Sequence, residues 1–185
     1  LDSVRLEGMA TTLYHLFEDS VYQGKNIASG DTITLLFEAD STEKRDVNSI
    51  HVAGGARGEY HPDSSAEKIE NTILYQANTI HYSIPDQQTW LRKDVEIDYM
   101  DTELRSGYVN VLWEENLMKA TASPPGIAIS DPEERPMFTE KGREPMRGYS
   151  LTYNLSNGLG KVQHGTAQGR VRVYSALVAL SIHKN

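Results

Sequence analysis

Between residues 71 and 120 the apolar positions fall on every second residue, in three successive blocks. Ile80, Tyr82 and Ile84 alternate with His81 and Ser83; Val95, Ile97 and Tyr99 with Glu96 and Asp98; Val109, Val111 and Trp113 with Asn110 and Leu112. Successive side chains of a strand point to opposite faces, so each block predicts a β-strand with one apolar and one largely polar face. Pro85-Asp86, Asp101-Thr102 and Ser106-Gly107 predict turns between them. The blocks recur every 14 to 17 residues, as in a ladder of loosely repeated strands.

The rest of the chain extends that ladder. Residues 1–28 show no clear period and are read as an irregular segment or first strands; Leu13 to Phe17 fits a helical turn as well as a short strand. Thr32 to Phe37 is β-branched and apolar, which predicts a strand and a first edge of the sheet. Asp40 to Asn48 is charged and predicts a hairpin loop. Gly54-Gly55, set inside the strand pattern Val52 to Tyr60, predicts a bulge or tight bend where the sheet curls. Four of the seven prolines fall between Pro124 and Pro136, so residues 123–148 are read as a loop or crossover. Tyr149, Leu151, Tyr153 and Leu155 restore the alternation, Asn157-Gly158 predicts a hairpin, and Val162 starts the return strand. The tail from Gly169 onward, with Val171, Val173 and then the apolar run Ala176 to Ile182, predicts a strand; the second edge is expected between Tyr149 and Ile182, and the uncharged run should be covered or paired.

Composition narrows the function. The hydrophobic fraction is 38%; with glycine counted in place of tyrosine it still lies below the usual ~45–50%. That favours a thin, extended sheet over a thick two-layer core, and ten tyrosines beside three phenylalanines suit half-exposed strands. A net charge of −8 supplies no basic footprint for nucleic acid. Absence of cysteine removes disulfide and thiolate chemistry. No apolar run approaches the ~20 residues of a membrane-spanning helix, so no transmembrane segment is expected. The first residue is leucine, the expectation for a processed chain or a fragment.

Several segments resemble the OstA-like (LptA) family of lipopolysaccharide-transport proteins, which comprises periplasmic bridge proteins and the amino-terminal domains of LptD-type outer-membrane assembly proteins. The run Val52-Ala53-Gly54-Gly55-Ala56-Arg57-Gly58-Glu59-Tyr60 is similar to a glycine-bearing strand of that family. Asn78-Thr79-Ile80-His81-Tyr82 and Asp94 to Val111 resemble its repeats, and Pro136-Met137-Phe138 to Tyr153-Asn154 resembles its most specific stretch. The resemblance covers roughly residues 29–166, and the tail 167–185 departs from it. It implies an all-β, curled, open antiparallel jellyroll over 29–166 whose apolar face forms a groove for lipopolysaccharide or a related lipid. It also implies edge-to-edge stacking with itself or other such modules, in the periplasm and in association with the outer membrane.

The groove expected from this resemblance is lined by Ile80, Tyr82, Ile97, Tyr99, Val109, Val111, Trp113, Leu151 and Tyr153. The same face could equally be the core of an ordinary sandwich, closed by a second sheet. Arg143 and Arg147 lie in a locally basic loop and are candidates for a lipid phosphate, although Glu133, Glu134, Glu140 and Glu144 are interspersed. The histidines form no H-E-x-x-H pair; His51 and His81 could be neighbours across strands, and no metal site or cofactor is expected. Adjacent carboxylates such as Glu114-Glu115 would face opposite sides of a strand. No nucleophile elbow, Walker loop or dinucleotide fingerprint is present, so no catalytic residue is assigned and an enzyme is not expected. A carbohydrate-active sandwich using Asp98 or Glu114 rests on residue type alone.

Overall fold

The computed structural model describes residues 2–18, 20–39, 45–64, 69–129, 131–163 and 177–178. Among these residues the chain is all β: twelve strands in one antiparallel sheet, a single 3₁₀ turn at Pro132–Glu134 and no α-helix. The strands are β1 (Ser3–Glu18), β2 (Val21–Ala39), β3 (Arg45–Pro62), β4 (Ile73–Ser83), β5 (Gln88–Tyr99), β6 (Thr102–Leu112), β7 (Leu117–Thr121), β8 (Met137–Glu140), β9 (Met146–Arg147), β10 (Ser150–Asn154), β11 (Gly160–Gln163) and β12 (Leu177–Val178). β1 to β7 form an unbroken meander, after which β10 pairs with β7 and is followed by β11 and β12. β8 goes back to β6 and carries β9.

Several expectations from the sequence shift. Thr32 to Phe37 is not an edge: it lies within β2, paired with β1 on one side and β3 on the other. The first edge is β1, whose alternation is blurred because Leu13 and Phe17 are apolar yet exposed. Asp46 to Asn48 is strand rather than loop. Ser106-Gly107 is no turn but lies inside β6. The predicted crossover contains two short strands, β8 and β9. The Asn157-Gly158 hairpin joins β10 to β11 as expected, with Asn154 Oδ1 accepting from the Ser156 and Asn157 amides. Of the predicted last strand, Leu177 and Val178 pair with Lys161 and Gly160; the remainder of Ala176 to Ile182 lies outside the described residues, as do His164 and His183.

The long strands are bent along one line. The register of every neighbouring pair from β1–β2 to β5–β6 shifts at the same level, and each time the odd-numbered strand holds the extra residue. The extra residues are Gly8-Met9, Gly54-Gly55 and Lys93-Asp94, all with positive φ. Gly54-Gly55 is thus a bulge, where the absence of Cβ matters because φ is +79° and +58°. A row of stacked bulges folds the sheet over on itself. Tyr75 and Tyr82 measure the result: seven residues of extended strand span about 23 Å, yet their hydroxyls on β4 are 3.1 Å apart.

The fold creates two half-sheets that face each other. In one half, Ala28, Gly58, Tyr75, Ile97, Leu104 and Phe138 share a rung from β2 to β8. In the other, Ile33, Val52, Ile80, Leu91, Val109, Ala120, Leu151 and Val162 do so from β2 to β11. Ring contacts cross between the halves: Tyr14–Tyr82 at 5.4 Å, Tyr60–Trp113 at 5.2 Å and Phe138–Tyr153 at 5.6 Å between centroids. One continuous core results, with its apolar side chains withdrawn from water on both walls.

Candidate functional site

The nine residues expected to line a groove all lie on the inward face. Ile80, Tyr82, Ile97, Tyr99, Val109, Val111, Leu151 and Tyr153 are buried, and Trp113 is half-buried against them. The alternation that selects them survives because each bulge lies outside the three blocks. What covers the face is the other half of the same sheet rather than a second sheet. Among the described residues, one cavity of about 10 Å³ lies in the interior between Ile73, Tyr75, Leu91, Ile97, Val111 and Trp113.

At one end this interior opens. A cleft of about 200 Å³ is lined by Tyr14, Leu16 and Phe17 of β1, Ser83 and Ile84, Gln87 and Gln88, and Trp113. Trp113 borders both the cleft and the inner cavity, so its ring stands between solvent and core. Its indole N–H donates to Thr89 Oγ1 at 2.8 Å, which fixes the ring across the β5–β6 pair.

Sequence reasoning missed a polar group inside this apolar space. Asn26 on β2 is fully buried, and its Oδ1 accepts from the Tyr75 hydroxyl at 2.5 Å. The Tyr82 hydroxyl follows at 3.1 Å, and the Tyr14 hydroxyl is hydrogen-bonded with the Asn26 and Thr89 side chains. Burial raises the ionisation of Tyr14, Tyr75 and Tyr82 above the ordinary tyrosine value, and Tyr153 is pushed up to about 12 by burial, with help from Tyr99 and Glu140. All of these hydroxyls are therefore neutral at physiological pH. Asn26 carries no apolar signal, and only its inward parity, two residues before buried Ala28, could have pointed to it.

The outer face holds the remaining candidates. Arg143 pairs with Glu140 at 3.1 Å and Arg147 with Glu133 at 2.5 Å, so each exposed guanidinium already has a carboxylate partner. His51 and His81 are cross-strand partners with ring centroids 6.0 Å apart, and His81 packs on Trp90 at 5.3 Å. Burial holds His81 below the usual histidine range, aided by His51 and Arg92. Glu96, Asp98 and Glu103 bring their oxygens within 4.8 Å of one another, and Arg105 lies 3.6 Å from Glu96 and against Glu103. Partial burial, then the two glutamates, raise the Asp98 carboxyl. Glu114 is exposed in the turn after β6, away from this cluster. No helix among the described residues is long and apolar enough to cross a membrane.

No family model and no curated protein matches the sequence. The folded chain does match a solved structure, that of LptH from Pseudomonas aeruginosa, the LptA-homologous periplasmic component of the lipopolysaccharide transport device. The match covers 72% of this chain and 96% of that one, at 13% identity and a TM-score of 0.52. Few identities survive, but the open antiparallel sheet folded on itself does. The resemblance read from the sequence and the likeness of the folded chains converge on one architecture, the LptA-like β-jellyroll.

Proposed function

We propose that the protein binds the acyl chains of lipopolysaccharide, or of a related lipid, between its two half-sheets and passes them on within the periplasm. The observation that carries this reading is the interior itself: a continuous apolar surface between two walls, opening to solvent through the Tyr14–Trp113 cleft. An acyl chain needs such a surface and little directional bonding, at about 25 cal/mol per Å² removed from water. The inner cavity beside Trp113 is too small to hold one, so binding there parts the two halves about the line of bulges. The rings that cross the interior, Tyr60–Trp113 and Tyr14–Tyr82, are displaced first. The fold shared with LptH supports the reading. No catalytic constellation is assigned.

The outer edge of β1 supports the second half of the reading, transfer between modules. β1 is sixteen residues long, pairs only with β2 among the described residues, and carries Leu6, Met9, Leu13 and Phe17 exposed. Beyond the bulge at Gly8-Met9, Ala10 to Phe17 contains no Asp, Glu, Lys or Arg, and such an edge templates strand addition by another copy or a similar module.

Photo-crosslinking tests the lipid reading. A probe at Ile84 or Leu16, in the cleft, should capture labelled lipopolysaccharide, while probes at Lys119 or Glu96 on the outer face should not. The small size of the inner cavity favours a competing reading, a structural β-module that pairs with neighbours and holds no lipid. Equal or absent crosslinking from both faces would select it.

A further inference from the structure

The line of bulges divides the outer surface into two faces of different chemistry. On one side lie Glu59, Glu96, Asp98 and Glu103. On the other, residues 49–53, 79–83, 88–92, 108–112, 117–121, 150–154 and 160–163 contain no Asp or Glu, although the chain carries a net charge of −8. Asp86 borders this face only at the β4–β5 turn, where the Ser83 hydroxyl donates to it at 2.7 Å. Arg92, Lys119 and Lys161 are exposed here, and none has a carboxylate partner among the described residues, in contrast to the paired Arg105, Arg143 and Arg147. Across the middle runs one rung: His51, His81, Trp90, Asn110, Lys119 and Thr152, each the cross-strand partner of the next. Its three rings touch in series, with centroids 6.0 Å and 5.3 Å apart. The remainder of the rung is amide, ammonium and hydroxyl.

A protein partner asks for an apolar centre, and this rung sets a single indole among imidazoles, amides and hydroxyls. A single-stranded nucleic acid also stacks on rings, but a phosphate at every nucleotide calls for a denser row of cations. A glycan fits both parts of the rung: the C–H face of a sugar lies on an aromatic ring, and its hydroxyls exchange hydrogen bonds with amides and hydroxyls. Six strands make the rung about 24 Å long, room for several sugars in a row. Lys119 and Lys161 stand two strands, about 10 Å, apart. Single cations at such intervals suit isolated carboxylates along a chain; a phosphate group favours clustered donors. We propose that this outer face binds an acidic glycan strand laid across the β-strands, a sugar ring on Trp90 and His81 and uronate carboxylates at Lys119 and Arg92. The site is separate from the interior and needs no lipid.

Titration of the full chain with a short oligogalacturonate, followed by calorimetry and tryptophan fluorescence, tests it. A neutral cellulose oligomer, polyglutamate and oligothymidylate serve as comparisons. The oligogalacturonate should bind more tightly than all three and lose affinity as salt rises. Trp90→Ala should weaken it by about tenfold, the upper worth of one ring contact. Lys119→Gln should weaken it by about two- to fivefold and flatten the salt dependence. Because Lys119 is exposed, that variant stands in if Trp90→Ala fails to fold. Polyglutamate binding as tightly as the glycan overturns the proposal in favour of charge alone, and oligothymidylate doing so overturns it in favour of nucleic acid. A neutral oligomer that binds equally overturns the acidic class. Binding that survives both substitutions, or no binding of the oligogalacturonate at all, overturns the site. Each of these results leaves the lipid reading of the interior standing.

Discussion

Gly58 on β3 lies directly beneath the ring of Tyr75, its cross-strand partner on β4: a Cβ at position 58 would overlap the ring carbons and the hydroxyl. The glycine is the seat of the tyrosine, and the tyrosine in turn holds Asn26. Gly58→Ala should therefore lower stability by about 1–3 kcal/mol, as overpacking does. The Gly58→Ala, Tyr75→Leu pair should recover part of that loss. Urea unfolding of the two single variants and the double gives the coupling; strict additivity would show that the ring does not depend on the glycine.

The bulges yield a prediction of mixed sign. Gly54 has φ +79°, and a side chain there would strike Asp31; Gly54→Val should cost about 2 kcal/mol or more. Lys93 holds φ +60° without being glycine and is exposed. Lys93→Gly should be neutral or stabilising by up to about 1 kcal/mol, because the relief of left-handed strain offsets the added freedom of the unfolded chain. The usual loss on placing glycine in a strand would contradict the bulge assignment. Urea midpoints measure both.

Alkaline pH should destabilise the fold. An unfolded tyrosine ionises near 10, while burial raises Tyr14, Tyr75 and Tyr82 and takes Tyr153 to about 12. Above pH ~10 the unfolded chain releases protons that the folded chain keeps, so stability is complete below that pH and falls as the folded values are approached. Phenolate absorbance should rise in two steps, the second coinciding with loss of near-ultraviolet circular dichroism. A single step near pH 10 with the fold intact would show these hydroxyls to be in water.

Association should run through β1. Leu13→Lys and Phe17→Lys place charges on an exposed edge, where they blunt strand addition without touching the core. Sedimentation velocity across a concentration series should show wild type associating and both variants less so, with unchanged thermal midpoints. Association undiminished by either substitution would move the contact away from this edge.

Much of this was legible in the sequence, for reasons specific to each segment. Ile80, Tyr82, Val109 and Val111 were placed on the correct face because strict alternation survives wherever one wall is buried and the other wet. Gly54-Gly55 announced its bulge because glycine is the usual occupant of positive φ. Lys93-Asp94 makes the same bulge silently, since nothing in a lysine marks it. Ser106-Gly107 misled because residues that favour turns also tolerate irregular strand: Gly107 has no room for a Cβ against the Ala122 carbonyl, and Ser106 Oγ donates to the Thr121 carbonyl at 2.8 Å. The Asn26 cluster was invisible because it depends on Tyr75, 49 residues away, meeting it across a fold in the sheet.

That same point in β6 gives the sheet a branch. On the edge away from β5, residues 108–112 are zipped to β7 and residues 102–105 to β8. The two ladders share no rung, so the four-rung ladder of β8 can come undone without loosening any pair of β7. The panel formed by β8 and β9 is therefore a separable unit of stability, laid over Tyr153 by the ring of Phe138. Amide exchange at Met137 to Glu140 should run ahead of exchange at Tyr108 to Leu112, giving the barrel-like wall a hatch where the meander on either side has only a seam.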